Sequence, residues 1–284
     1  MATTARPDHV TLPRLDVIRA FCFLAVFGSH IFFTDRADLT STAFWRLFVK
    51  PAFYKGDLGV NTFFVLSGFL ITFLLIREKR LNGRINVPHF WLRRILRIWP
   101  LYFVVVFLGF GPMQWLKAWS GQAVHETANP WHYVFFYSNL DLVHGDQPDS
   151  SILPVLWSIA VEEQFYLVWP LLLLLLPSRA TPAIFGTVIG ASLVFQWMHP
   201  EEPMRLWHTF TCMGDLAIGA AAAWYASRPE GPARIRDWPL WAIIGAHAVA
   251  LVLYLIPDFG EEVWFRVVFA TLVAVVILYQ AFGR

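Results

Sequence analysis

Apolar runs of membrane-spanning length, broken by short polar and charged segments, set the pattern of this chain. They cover 17–33, 58–76, 98–113, 156–176, 183–198, 207–226, 240–256 and 264–282. A helix needs about 20 predominantly apolar residues to cross a hydrocarbon core. Within a bilayer, helices and closed barrels are the structures that satisfy their own backbone hydrogen bonds. The pattern predicts an all-α, polytopic transmembrane bundle of about eight spans. A shorter apolar piece, 133–140, is too short to cross and is expected to be re-entrant or interfacial. Asp16 precedes the first span and is placed as its cap. The third span is expected to begin near Ile98, with Pro100 in its first turn, where proline is tolerated. Gly68 and Ser67 in the second span suit close helix packing.

The charges orient the spans. Arg77, Lys79, Arg80, Arg84, Arg93, Arg94 and Arg97 fall between the second and third runs, and Arg228, Arg234 and Arg236 between the sixth and seventh. Excess Lys and Arg marks the cytoplasmic side. Arg6, Arg14 and Arg284 then put both ends of the chain on that side. The long segment 114–154 has Lys117 as its only Lys or Arg, and is expected outside with the acidic turn 257–262. Its tryptophans and tyrosines suit an interfacial belt. Residues 1–12 are polar and carry no apolar core of a signal peptide, so the first span is expected to act as the insertion signal.

Composition agrees. The 284 residues are 57% hydrophobic and 15% charged, against about a quarter charged in soluble domains. Two cysteines, Cys22 and Cys212, lie inside apolar runs and read as small buried hydrophobes, with neither a disulfide framework nor metal-ligand spacing. No internal repeat or soluble domain interrupts the chain, so 1–284 reads as one integral-membrane domain. No metal and no nucleic-acid partner is expected; the natural partner is membrane lipid.

Ionisable residues inside spans are costly and are functional candidates. Arg19 and His30 stand eleven positions apart. At 100° per residue they share a helix face, about 16.5 Å apart along the axis. Arg94 and Arg97 are helical neighbours at i, i+3, with Arg93 beside them. Guanidinium forks match phosphate oxygens, and a helix start would add positive potential. The same cluster also suits a positive-inside anchor. Toward the outer side, His30 is expected to meet Glu162 or Glu163, a carboxylate orienting an imidazole base. The two glutamates diverge by about 100°, so only one can face the bundle interior. Asp215 lies mid-span and either pairs with an arginine or stabilises the bundle. Asn61, Ser67 and Asp215 are the candidates for substrate contact.

Four stretches together carry a resemblance. They are Leu15-Asp16-Val17-Ile18-Arg19-Ala20 followed by His30; Gly59-Val60 through Phe63-Phe64-Val65-Leu66-Ser67-Gly68-Phe69; Phe90-Trp91-Leu92-Arg93-Arg94-Ile95-Leu96-Arg97-Ile98-Trp99-Pro100; and Trp157-Ser158-Ile159-Ala160-Val161-Glu162-Glu163-Gln164-Phe165-Tyr166. A weaker likeness continues through Asp215-Leu216-Ala217-Ile218-Gly219. In this order they resemble acyltransferase family 3, membrane O-acyltransferases acting on carbohydrates. The resemblance implies transfer of an acyl group, acetyl in many members, from cytosolic acyl-CoA to a hydroxyl of an extracytoplasmic carbohydrate or glycolipid. It implies His30 as the base, and Arg19, Arg94 and Arg97 on the acyl-CoA side. A bacterial inner membrane is the expected location. The family usually has ten spans, so the last two helices are expected to be missing from this chain. A flippase for a polar lipid-linked glycan and an inactive truncated relative are the alternatives.

Overall fold

The structure, a computed structural model, describes residues 12, 14–32, 34, 36–177, 179–255 and 263–283. The expected acidic turn 257–262, Arg6 and Arg284 lie outside the described residues. Regular structure among the described residues is helical throughout. Among the described residues, eight long helices overlap the eight expected runs: α1 (Leu15–Ile31), α2 (Gly56–Asn82), α3 (Val87–Phe110), α4 (Trp157–Leu175), α5 (Thr181–Met198), α6 (Thr209–Ala226), α7 (Leu240–Leu255) and α8 (Val263–Phe282). Five helical stretches, containing α2, α3, α4, α5 and α8, are long and apolar enough to cross a membrane. The chain is therefore an all-α, integral membrane protein. Helix α7 is apolar and shorter, at 16 residues.

Two helix starts correct the expectations. The third helix begins at Val87, not near Ile98. Asn86 caps it by accepting a hydrogen bond from the His89 backbone N–H at 3.1 Å, and Pro88 sits in the first turn. Pro100 is consequently interior to α3, and Arg93, Arg94 and Arg97 occupy its second and third turns. They are too far from the helix start to borrow its positive end. Asp16 makes no capping bond; it lies in the first turn of α1 and pairs with Arg19. On α2 the polar end stops at Gly83, whose φ of 73° is the left-handed conformation that glycine adopts without steric cost.

Packing centres on α2 and α6. A β-carbon on Gly68 would collide with the backbone of Leu216, and one on Gly219 with the backbone of Val65. Small residues thus bring these two backbones together, as is usual where lipid supplies no hydrophobic drive between helices. Phe69, Ala223, Phe269 and Ile277 extend this core to α8, and Phe64, Phe165, Trp169 and Leu216 extend it to α4. Cys22 and Cys212 are free and buried.

The helix ends are tied by polar bonds. At one end, Lys79 on α2 donates to the Leu173 and Leu176 carbonyls at the close of α4, and Arg80 donates to the Ser227 carbonyl just past α6. The basic end of α2 thus gathers the last turns of α4 and α6, as alternating spans require. At the other end, Asn139 donates to the Trp207 carbonyl and the Thr209 hydroxyl before and at the start of α6, and Gln164 of α4 donates to Asn139.

Candidate active site

Arg19, Arg94, Arg97, Asp16 and Glu162 converge on one cavity of about 680 Å³, with Ser67 and Tyr166 in its polar wall. Leu66, Leu70, Ile71, Phe73 and Ile98 form its apolar lining. Four helices build it. Helix α1 brings Asp16 and Arg19 on one face, α2 brings Ser67, α3 brings Arg94 and Arg97 at i, i+3, and α4 brings Glu162 and Tyr166 at i, i+4. Ser67 stands ten positions before Arg77 on α2, about 15 Å along the axis, or half a hydrocarbon core.

The electrostatics are partly paired. Arg19 is neutralised by Asp16. The Arg94 guanidinium lies over the Tyr166 ring at 5.4 Å and the Phe90 ring at 5.6 Å, where the ring faces attract a cation. Its nearby charges include Glu162. The Glu162 carboxylate faces the hydroxyls of Ser67 and Tyr166, which lie 2.5 Å from each other. Arg97 is exposed and has no carboxylate partner among the described residues. Arg93 faces away from the cavity and reaches Glu78 at 4.0 Å.

The two glutamates diverge as their adjacency requires. Glu162 enters the cavity, while Glu163 accepts a hydrogen bond from the Trp99 indole at 3.0 Å. His30 does not meet either of them. It is exposed at the far end of α1, beside Ser29, which packs at Gly56 of α2. Glu162 packs at Ser67, eleven positions along the same helix, so about 16.5 Å of helix axis separates the two levels. The expected imidazole–carboxylate contact fails because α4 places its acids at the level of Arg19 rather than of His30.

Asp215 and Asn61 are also outside the cavity lining. Asp215 is buried and paired with Arg266 of α8, its Oδ2 accepting from Nε at 3.0 Å and from Nη2 at 2.7 Å. Arg266 donates further to the Arg205 carbonyl at 2.6 Å. Of the two roles open for Asp215, the structure makes the arginine pair, a strut between α6 and α8. Asn61 is buried on α2. Sequence reasoning overlooked Arg266, although an arginine within the eighth apolar run was a visible signal. It also overlooked Tyr166, which lay within the fourth recognised stretch one turn after Glu162.

A cavity among four helices, lined by three arginines and two carboxylates, gives this integral membrane protein a polar site. The chain belongs to acyltransferase family 3: the acyltransferase-domain profile of that family matches residues 12–283. It is 31% identical over 243 residues to the peptidoglycan O-acetyltransferase OatA of Listeria monocytogenes, covering 78% of this chain and 35% of the relative. It is 29% identical over 235 residues to YrhL of Bacillus subtilis, provisionally named a peptidoglycan O-acetyltransferase, covering 76% of this chain and 33% of the relative. The chain thus spans about a third of the length of these curated relatives. No solved structure matches it significantly.

Proposed function

We propose that this chain is the membrane part of an O-acetyltransferase that takes acetyl from cytosolic acyl-CoA and delivers it to a hydroxyl of an extracytoplasmic carbohydrate. The cavity that gathers Arg94, Arg97 and Glu162 among the helices is the observation that carries the reading. Arg97 has no carboxylate partner among the described residues, and Arg94 adds a second fork, so the pair suits the phosphates of the donor. The thioester then extends on the pantetheine arm toward the level of His30. There the imidazole takes the proton of an acceptor hydroxyl as its oxygen bonds to the acetyl carbon. The C–S bond breaks, and the imidazolium returns the proton to the departing thiolate. Asn61 and Ser67 stand on α2 between and along these two levels as substrate contacts. The names of the relatives favour peptidoglycan as the acceptor. The chain would sit in the bacterial inner membrane with the basic helix ends in the cytoplasm.

The test uses the full chain in proteoliposomes, with acetyl-labelled acetyl-CoA on one side and soluble disaccharide-peptide fragments of peptidoglycan on the other. Mass spectrometry should find an O-acetyl ester on the fragments, with release of free CoA in equal amount. Neither ester nor CoA release from folded protein would overturn the reading. A flippase would move the glycan and leave acetyl-CoA intact.

A further inference from the structure

Among the short helices between α3 and α4 are Pro130–Val134 and Ser138–His144, with Phe136 at their junction. Phe136 has a φ of 59°, a conformation rare for a bulky residue. The surroundings hold it there. Its ring packs on Tyr102 at 4.6 Å and Trp99 at 5.4 Å, and its carbonyl accepts from Gln164 at 2.7 Å. Trp99 in turn holds Glu163, the neighbour of Glu162 in the cavity wall. The tip of this segment therefore packs against the turn of α4 that carries Glu162, Glu163 and Gln164.

The first of the short helices carries an oriented imidazole. His132 Nδ1 lies 2.7 Å from Asp141 Oδ1, and Asp141 Oδ2 accepts from the Asn129 backbone N–H at 3.1 Å. The Asp141 side chain is 12% exposed and that of His132 is 41% exposed. The carboxylate is spent on the protein, while the Nε2 of His132 has no partner among the described residues. Alongside, Trp131 and Phe135 stack at 6.1 Å with their rings 22° from parallel, and they are 66% and 62% exposed. His132 and Phe135 are neighbours at i, i+3.

We propose that this segment is the docking site for the saccharide acceptor. A pyranose ring has an apolar C–H face and equatorial hydroxyls. The exposed Trp131 and Phe135 rings would take the face, and the fixed imidazole of His132 would take one hydroxyl through Nε2. Asp141 acts as a positioning residue, setting the ring angle of His132 and the tautomer that leaves Nε2 as the acceptor. Phe136 ties this site to the turn of α4 that bears Glu162 and Glu163, through its Gln164 bond and through Trp99. An exposed aromatic pair at a membrane face also suits lipid headgroups. The oriented imidazole beside it is what favours a polyhydroxyl ligand. The identity of the acceptor rests on the acetyl-transfer reading; the saccharide chemistry of the site does not.

The test measures binding of the same disaccharide-peptide fragments, and separately of acetyl-CoA, to the full chain in nanodiscs. The variants are His132→Gln, Trp131→Ala and Asp141→Asn. Each should weaken fragment binding at least tenfold and leave acetyl-CoA binding within twofold, with an unchanged melting temperature for His132→Gln and Trp131→Ala. In turnover assays the acceptor KM should rise while the donor KM stays. Unchanged fragment binding in His132→Gln and Trp131→Ala would overturn the proposal, leaving a lipid-facing belt. So would a parallel loss of both ligands together with melting temperature, which marks a purely structural pair. Wild-type protein that binds fragments without acetylating them would sink the acetyl-transfer reading and spare this site.

Discussion

Arg97 is a cation of the cavity for which the described residues offer no counter-ion, and Arg94 is held by aromatic faces beside Glu162. A donor phosphate would give Arg97 its partner. Arg97→Ala should lower acetyl-CoA affinity by roughly 1.5–3 kcal/mol, the value of a charge-assisted hydrogen bond, and Arg97→Lys should recover only part of it. Calorimetric titration of acetyl-CoA checks this; unchanged affinity would leave the arginine a topology anchor. His30 calls for a different readout, because it stands at the far end of α1 from Arg19 and the cavity. His30→Gln should lose about 10²–10⁴ in turnover while acetyl-CoA still binds. Near-normal turnover of that variant would remove His30 from the reaction. Asp215 and Arg266 are a third case, with side chains only 3% and 9% exposed. Removing one partner leaves a buried charge unpaired, so Arg266→Leu should cost about 3–5 kcal/mol. The double variant Asp215→Leu with Arg266→Leu should be less damaging than either single one, read by thermal unfolding in detergent.

At the scale of elements, the contact of α2 with α6 positions Ser67, because Gly68 next to it lies against the α6 backbone. Gly68→Ala and Gly219→Ala each force a β-carbon into backbone that cannot move aside as a side chain would. Each should destabilise by about 1–3 kcal/mol, the usual cost of overpacking. Gly245 on α7 has open space where its β-carbon would go, so Gly245→Ala serves as the neutral control. Thermal unfolding of the three variants tests the ranking. If Gly68→Ala and Gly245→Ala melted together, the close approach of α2 and α6 would not be what holds the site.

For the molecule as a whole, sidedness decides which helix ends share a compartment. Lys79 and Arg80 bind the ends of α4 and α6, so the basic end of α2 and those two helix ends occupy one side. In the proposed orientation, which rests on the positive-inside tendency, that side is cytoplasmic. A single cysteine introduced at Arg84→Cys should react with an impermeant thiol reagent in inverted vesicles and not in intact cells. The native Cys22 and Cys212 are buried and add little background. Labelling of residue 84 from outside would reverse the topology and with it the side from which acyl-CoA enters.

The amino-acid sequence by itself determined that the chain is a bundle of long apolar helices and roughly where each one lies, because spanning length and apolarity are local properties of each run. It also paired Arg94 with Arg97 at i, i+3; Arg19 joined them only through the family resemblance. The divergence of Glu162 from Glu163 followed from helix geometry alone. Depth and partnership were decided only by the tertiary structure. How far α4 slides against α2 fixes Glu162 at the level of Ser67 rather than of His30, and no local pattern encodes that register. The meeting of Asp215 with Arg266 joins residues 51 positions apart, and depends on α6 and α8 lying side by side. The start of α3 at Val87 was legible in Asn86 and Pro88, but hydropathy outweighed it because the first three turns carry charges. The Phe136 turn has no such local signal: a bulky residue takes a left-handed backbone only where packed rings and a Gln164 hydrogen bond compensate its cost.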